Sequence, residues 1–299
     1  MKSITKKISI ILGASLFVFV GLLIFLRRNK SDDKILILTT SRPLYIAINE
    51  ICKDTSQIST KEITNGYMDS HSCLHDFSLT TQQLEDIEKC YLLAYNGAYF
   101  EPFINKLNNN NNLCDSSKNI EILGHSGEKN PFIWMSVTNY IKQIQNVMDE
   151  INSPDRKIVK ILNIGEFNEM NRNYANYIEK LESKKEEWKS RFKEFKGMKI
   201  ATLTDEFDYF LKDLELIPVH LIEGHVHEDL SAKNIKNAEK ILKEGNFKFY
   251  LASNKKYFNI LKSSKGVLLD LIQSQNKTSY IDEMENNINI LISNIKEFK

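Results

Sequence analysis

Short apolar runs alternate with amphipathic stretches along the chain from residue 34 onwards, and this alternation restricts the fold more than any other feature. Residues 35–38 and 91–95 are nearly continuous apolar runs, and Leu44, Ile48 and Ile51 recur between them at helical spacing. Continuous apolar runs are typical of strands buried on both faces of a parallel sheet, with helices covering those faces. The pattern therefore predicts an α/β fold with parallel sheets.

The longest helical pattern covers residues 166–196, where apolar side chains recur three or four positions apart and Gly197 provides a stop. At about 1.5 Å per residue, such a helix would be about 45 Å long, which is more than one small lobe needs. A chain of 299 residues has room for a lobe on either side of it. Strands are predicted at residues 119–123 before this helix and, after it, at residues 198–203, 217–222, 247–252 and 267–270.

The first thirty residues predict a membrane anchor. Residues 8–26 are almost entirely apolar, and a helix of about 20 such residues crosses a bilayer. A cleaved signal peptide is the alternative, but the run ends in Leu-Ile-Phe-Leu-Arg-Arg, which is a poor cleavage site. No cysteine precedes Cys52, so a lipid anchor is not expected. We predict an uncleaved, single-pass anchor in residues 1–30, with an orientation that the flanking basic residues leave open.

Charge and motif content exclude several classes of function. The chain has 40 basic and 39 acidic residues, and six of the basic ones precede residue 31, where no acidic residue occurs. The remaining 34 basic against 39 acidic residues make a mildly acidic body, which argues against binding to nucleic acid. The sequence has no HExxH, no GxSxG and no glycine-rich phosphate loop, so we do not expect an enzyme.

A series of short motifs in the first half of the chain carries a resemblance to a known family. The series consists of His75-Asp76-Phe77, then Leu84 and Ile87, then Asn-Gly-Ala-x-x-Glu-Pro-Phe at residues 96–103. In this order the motifs resemble the metal-binding solute-binding proteins of ABC transporters, the cluster A-I zinc and manganese receptors. The resemblance extends over residues 34–299. It implies an extracytoplasmic body that passes Zn²⁺ or Mn²⁺ to a membrane permease.

The same resemblance implies an architecture and a ligand set. The expected parts are an anchor at 1–30, an N-terminal α/β lobe at 34–160, a linking helix at 166–196 and a C-terminal α/β lobe at 198–299. The family holds its metal between the lobes with three histidines and one carboxylate. His75 and Asp270 match two of these positions, whereas Phe132 and Thr204 stand where the other two histidines are expected.

Other residues are candidates to replace the two missing histidines. His71 and Cys73 lie close to His75 in the sequence, and Asp205 is next to Thr204. Imidazole, thiolate and carboxylate are all zinc ligands. His225 and His227 follow a predicted strand and would lie at the rim of the cleft, although solvated loop histidines are an equally simple interpretation.

Two functions remain open at this level. The first is the substrate-binding component of a transition-metal importer with an altered ligand set. The second is a degenerate paralogue that keeps the fold without high-affinity metal binding and acts as an adhesin or interaction protein. Sequence alone does not fix a disulfide pattern. Cys52 and Cys90 end apolar segments and are expected to be buried small residues, whereas Cys73 and Cys114 lie in polar loops, where a bridge between them stays open.

Overall fold

The computed structural model describes residues 34–69, 74, 76–107, 112–125, 128–155, 158–222, 230–257 and 261–298. The predicted anchor at residues 1–30 and the candidate ligands His71, Cys73, His75, His225 and His227 lie outside these residues. Within the described ranges, no helix combines the length and the apolar character needed to cross a membrane.

Strands and helices alternate along the chain, as expected for an α/β protein. The strands are β1 Ile35–Thr39, β2 Ile58–Glu62, β3 Leu92–Tyr95, β4 Leu113–Asp115, β5 Gly124–His125, β6 Glu128–Lys129, β7 Lys199–Thr202, β8 Ile217–His220, β9 Phe249–Ala252 and β10 Lys265–Leu268. The α-helices are α1 Arg42–Cys52, α2 Thr81–Lys89, α3 Val137–Ile151, α4 Ile158–Ile161, α5 Ile164–Arg191, α6 Asp208–Asp213, α7 Ala232–Glu244 and α8 Tyr280–Glu297.

The first lobe is built on a sheet with the strand order β2-β1-β3-β4. Strand β1 pairs with β3 in parallel, with Ile37 opposite Leu92, and β3 pairs in parallel with β4. Ile37, Leu38 and Leu92 are completely buried, because helices cover the sheet on both sides. The spacing of Thr80 and Gln83 in the sequence predicts a capping box, and the two residues form one at the start of α2.

The second lobe contains a parallel sheet with the order β10-β9-β7-β8. Its core includes Leu203, Leu242 and Tyr250, which join strands β7 and β9 to helix α7. Two α/β lobes with parallel sheets are therefore confirmed. Strands β1, β3 and β4 of the first sheet and all four strands of the second pair in parallel, so their carboxyl ends share one edge of each sheet, where ligands of α/β proteins bind. Strands β5 and β6 form a separate antiparallel pair.

Helix α5 connects the lobes and packs against α1 and α3 of the first lobe and α8 of the second. Its Trp188 is buried, and the indole Nε1 donates to Glu285 on α8 at 2.7 Å. Arg191 bonds the other oxygen of Glu285 at 2.6 Å. The helix thus stabilises both lobes along its length and is not a free arm.

An aromatic cluster joins the two lobes directly. The indole of Trp134 donates to the carbonyl of Leu271 at 2.8 Å, and the Tyr280 hydroxyl donates to the carbonyl of Trp134 at 2.7 Å. Tyr280 also stacks on Tyr140, with ring centroids 3.7 Å apart, and the hydroxyl of Tyr140 bonds the carbonyl of Pro43 at 2.8 Å. The rings of the cluster are fully buried. Buried aromatic contacts and hydrogen bonds therefore join the two lobes.

The predicted strand at residues 119–123 is wrong. Asn119 has a φ of 61°, which is left-handed backbone that a strand does not accommodate. The N–H of Ile120 closes a turn onto the carbonyl of Ser117 at 2.9 Å. The neighbour of β3 is instead β4, a strand of three residues that is too short to be recognised by periodicity.

The long helix differs from the predicted range of residues 166–196 at both ends. The side-chain oxygen of Asn163 accepts the N–H of Glu166 at 2.9 Å, so Asn163 is the N-cap and the helix begins at Ile164. Phe192 leaves the helical conformation, and a 3₁₀ turn at Lys193–Phe195 follows. The apolar periodicity continues through this turn, which is why the sequence extended the helix too far.

We expect Tyr280→Phe to destabilise the protein by about 1–2 kcal/mol, because a buried carbonyl loses its donor while the ring stacking persists. Tyr99→Phe is a matched control, since Tyr99 is 70% exposed. Removing the hydroxyl of Tyr99 should change the free energy of unfolding by less than about 0.5 kcal/mol. Urea unfolding of both variants measures the difference. Equal stabilities would show that the lobe junction does not depend on this bond.

Candidate functional site

The carboxyl ends of strands β1, β7 and β10 converge at the junction of the two lobes. Arg42, just after β1, donates from Nε to the carbonyl of Lys277 at 2.7 Å. Asn130 of the first lobe donates to the carbonyl of Asp205, just after β7, at 2.6 Å. We call this region the cleft, formed by residues 39–42, 130–132, 203–205 and 269–277.

Asp270 lies two residues after β10 in a rigid backbone setting. Its N–H donates to the Oδ1 of Asn287 at 2.9 Å, and the amide of Asn287 donates back to the Asp270 carbonyl at 2.8 Å. One carboxylate oxygen of Asp270 accepts the N–H of Ile272 at 2.6 Å. Asn287 is completely buried, so this pair of hydrogen bonds fixes the backbone of Asp270, while the N–H of Ile272 orients its carboxylate. Asp270 thus follows the last strand, and its role as a metal ligand stays a prediction.

The other carboxylate oxygen of Asp270 forms an ion pair with a lysine that the sequence did not indicate. The ammonium of Lys277 lies 2.8 Å from Asp270 Oδ2 and 2.7 Å from Glu283 Oε2. Burial lowers the pKa of Lys277, but the hydrogen bonds to the two carboxylates outweigh it and leave the pKa raised. Lys277 is therefore a charged ammonium on the candidate metal ligand. A lysine in a polar loop carries no sequence signal for such a contact.

Phe132 and Thr204, the positions of the two missing histidines, are both buried. Phe132 packs edge-on against Trp134 with ring centroids 5.5 Å apart, and its N–H is held by Asn130 at 2.9 Å. Thr204 is 3% exposed, and its hydroxyl makes no hydrogen bond with the described part of the chain. Asp205, the candidate substitute, is also 3% exposed and begins a 3₁₀ turn. Neither Phe132 nor the neutral hydroxyl of Thr204 is a good zinc ligand.

The described residues alone do not form a metal centre. Among them, no group of three or more His, Cys, Asp or Glu side chains is arranged to hold an ion. Of the candidate ligands they include Asp270 and Asp205. The imidazole and thiol candidates fall outside the described ranges. Their contribution to a site in the cleft therefore stays a prediction.

Glu101 belongs to the family-like motif at residues 96–103, and its role is structural. Its carboxylate accepts the N–H of Asn96 at 2.7 Å, the N–H of Gly97 at 3.0 Å and the hydroxyl of Thr40. Burial raises the pKa of Glu101 to about 8, against the opposing effect of these three donors. The side chain ties the end of β1 to the end of β3 and so shapes the first-lobe wall of the cleft.

A histidine–aspartate pair lies in the second lobe behind Thr204. His220 Nε2, at the end of β8, is 2.7 Å from Asp208 Oδ1 at the start of α6. The hydrogen bond with Asp208 raises the pKa of His220, in spite of an opposing effect of burial. The position of His220 within a predicted strand favours a structural role, and this pairing fits one.

We expect Glu101→Gln to cost about 1–3 kcal/mol of stability, because an amide NH₂ would face a backbone N–H that now donates to a carboxylate. Glu85→Gln is the matched control, since that carboxylate is half exposed and pairs only across one helical turn with Lys89. Chemical denaturation of both proteins at a constant pH above 8, where the Glu101 carboxylate is ionised, measures the difference. A Glu101→Gln protein as stable as its control would contradict this role.

The His220 pair should make stability depend on pH. Because its folded-state pKa is raised above 6.5, the pair contributes fully below pH 6.5 and loses its contribution as pH rises through the folded-state pKa. We expect the free energy of unfolding to fall more between pH 5.5 and 8.5 for the wild type than for His220→Gln. Parallel slopes for the two proteins would refute the linkage.

Comparisons with known proteins place the chain in a family. The family model of the periplasmic zinc-uptake complex component A, ZnuA, matches residues 37–294. A comparison with curated protein sequences gives no match.

Solved structures with the same fold include two proteins with a bound metal ion and one that is described as a metal transporter. FpvC from Pseudomonas aeruginosa, solved with Mn²⁺, has a TM-score of 0.73 and 17% identity over 89% of this chain and 100% of that chain. The Zn(II)-bound ZnuA-like domain of AdcA from Streptococcus pneumoniae has a TM-score of 0.69 and 20% identity over 87% and 98%. Lmb of Streptococcus agalactiae, described as a bifunctional adhesin and metal transporter, has a TM-score of 0.70 and 16% identity over 87% and 98%.

Identities this low show a common fold, and the family model extends over most of the chain. The family consists of substrate-binding components of uptake systems, which confirms the expectation that the protein is not an enzyme. The chain belongs to the ZnuA family of periplasmic zinc-uptake components.

Proposed function

We propose that this protein is the extracytoplasmic substrate-binding component of an ABC importer for a transition metal, Zn²⁺ or Mn²⁺. The observation that carries the proposal is Asp270, whose backbone is fixed by Asn287 just after β10 and whose carboxylate is one-third exposed at the lobe junction. A partly open carboxylate between two lobes is a suitable ligand for a divalent cation. Family membership and the metal-bound relatives of the same fold support this assignment.

The metal would be held by a set of ligands that differs from the three-histidine pattern. His75 and Asp270 are the part that matches the family pattern, and His71, Cys73 or Asp205 would supply the remaining positions. Asp205 is the substitute with the best structural support, because it is buried at the end of β7 on the cleft side. His225 and His227 would contribute at most from the rim.

The domain and membrane assignments are part of the same proposal. Residues 1–30 would anchor the protein in the cell membrane, with the body on the extracytoplasmic side and in reach of a permease. Residues 34–160 and 198–299 would be the two lobes, with residues 166–196 as the linking segment. The packing of α5 against helices of both lobes supports this division.

A second candidate function has its own observation. The ammonium of Lys277 already occupies Asp270, and Phe132 packs into the junction where the resemblance expects a metal-binding histidine. Both features fit a paralogue without high-affinity metal binding that acts as an adhesin or interaction protein. Lmb of Streptococcus agalactiae, which has the same fold, is described as an adhesin with metal-transporting activity.

Metal content and thermal stability distinguish these functions. We expect protein purified without chelators to contain zinc or manganese, and the metal-free protein to melt about 5–10 °C higher at a zinc concentration of about 100 times Kd. Asp270→Asn and His75→Ala should reduce the shift. Asp149→Asn, which changes an exposed carboxylate on α3, should not. A wild type without bound metal, and with no shift in millimolar zinc, would favour the adhesin or interaction protein.

A further inference from the structure

The Lys277 ammonium is held by two carboxylates of its own lobe. Asp270 and Glu283 accept it at 2.8 and 2.7 Å, and the lysine side chain is only 17% exposed. Two carboxylates and one ammonium leave this cluster with a net charge of −1. The carboxylates of Asp270 and Glu283 are 33% and 23% exposed, so the cluster is partly buried and is screened less by solvent than a fully exposed pair.

A side chain of the first lobe, Arg42, holds the backbone of Lys277 in position. Arg42 donates from Nε to the Lys277 carbonyl at 2.7 Å, while its Nη1 lies 3.2 Å from Glu62. The guanidinium also lies over the ring of Tyr45, 4.6 Å from the centroid. The side chains of Arg42 and Glu62 are 11% and 6% exposed, so they form a rigid support. Within its own loop, the N–H of Lys277 closes a turn onto the carbonyl of Ser274 at 3.0 Å.

We propose that Lys277 is a tethered cation that takes the place of a metal ion on Asp270, so that an incoming metal has to displace it. The inference rests on the proposed function only in taking Asp270 as a metal ligand. A lysine suits this role because its ammonium is a compact charge on a flexible stem. A divalent ion that replaced it would bring one more positive charge to a cluster that is one charge short of neutral.

Lys277 would accordingly determine how tightly the cleft binds metal. The lobes are held together by Arg42 and the aromatic cluster, and the resident ammonium neutralises Asp270 while no metal is bound. A metal ion gains only the difference between its own interaction with the carboxylate and that of the ammonium. Lys277 thus lowers the affinity of the cleft for metal and facilitates release of the cargo.

The test is the zinc affinity of full-length wild type, Lys277→Met and Lys277→Gln, measured by competition with a chromogenic chelator. In both variants the metal no longer has to break the charge-assisted hydrogen bonds of the Lys277 ammonium. We therefore expect both variants to bind zinc about 10–100-fold more tightly than the wild type. Lys265→Met is the matched control, because that lysine pairs with Glu297 at 3.0 Å and is half exposed. Its affinity should equal that of the wild type.

Two further measurements connect the gain to Asp270. The double variant Lys277→Met with Asp270→Asn should lose the gain. Lys277→Met without metal should melt below the wild type, because Asp270 and Glu283 then repel each other, and zinc should restore the melting temperature. Lys277→Gln, which keeps a hydrogen-bond donor, serves if the methionine variant folds poorly.

The outcomes separate this inference from the proposed function. Tighter binding by the Lys277 variants together with a wild type that does not bind zinc supports the inference and overturns the proposed importer function. Equal binding by the wild type and both Lys277 variants overturns the inference and leaves the function intact. Absence of binding in all of them overturns both.

Discussion

Two hydrogen bonds meet at Trp134, and the arrangement of the whole molecule depends on them. The indole N–H reaches the carbonyl of Leu271 in the second lobe, and the Trp134 carbonyl accepts the Tyr280 hydroxyl. All of these groups are buried, so breaking either hydrogen bond would leave a polar atom without a hydrogen-bond partner in the protein or from water. Because Leu271 directly follows Asp270, the same contact determines where the candidate metal ligand lies relative to the first lobe.

The charged side chains of the cleft pair with oppositely charged side chains of the same protein. Arg42 pairs with Glu62 in the first lobe and holds the Lys277 backbone of the second, and Lys277 pairs with Asp270. A buried ion pair of this kind contributes little net stability but is costly to break, since one charge would be left uncompensated. Such a network favours one relative position of the lobes. The protein can therefore keep its cleft formed without any metal.

Phe132 and Thr204, which replace two histidines of the family pattern, also have structural surroundings that affect the cleft. Phe132 is part of the aromatic packing around Trp134, so replacing it changes the lobe junction as well as the ligand set. Thr204 places a small hydroxyl at the end of β7, beside the buried carboxylate of Asp205. The consequence is a cleft that is more apolar on the first-lobe side and that retains its carboxylates on the second-lobe side.

Sequence by itself determined the fold class, the capping box of Thr80 and Gln83, and Asp270 as a carboxylate after the last strand. These follow from local rules, since burial on both faces of a parallel strand and capping of a helix each require particular residues within a few positions. The strand β4 and the end of the long helix escaped prediction, because three residues carry no periodicity and an apolar stripe continues through the 3₁₀ turn.

Only the tertiary structure decided that Lys277 covers Asp270 and that Arg42 supports Lys277. Arg42 and Lys277 are 235 positions apart, and a lysine in a polar loop is compatible with full solvation. Their contact exists because the carboxyl ends of two separate sheets are brought to one edge by the aromatic junction. Ion pairs between distant loops leave no periodic or local pattern in a sequence, whereas strands and helices do.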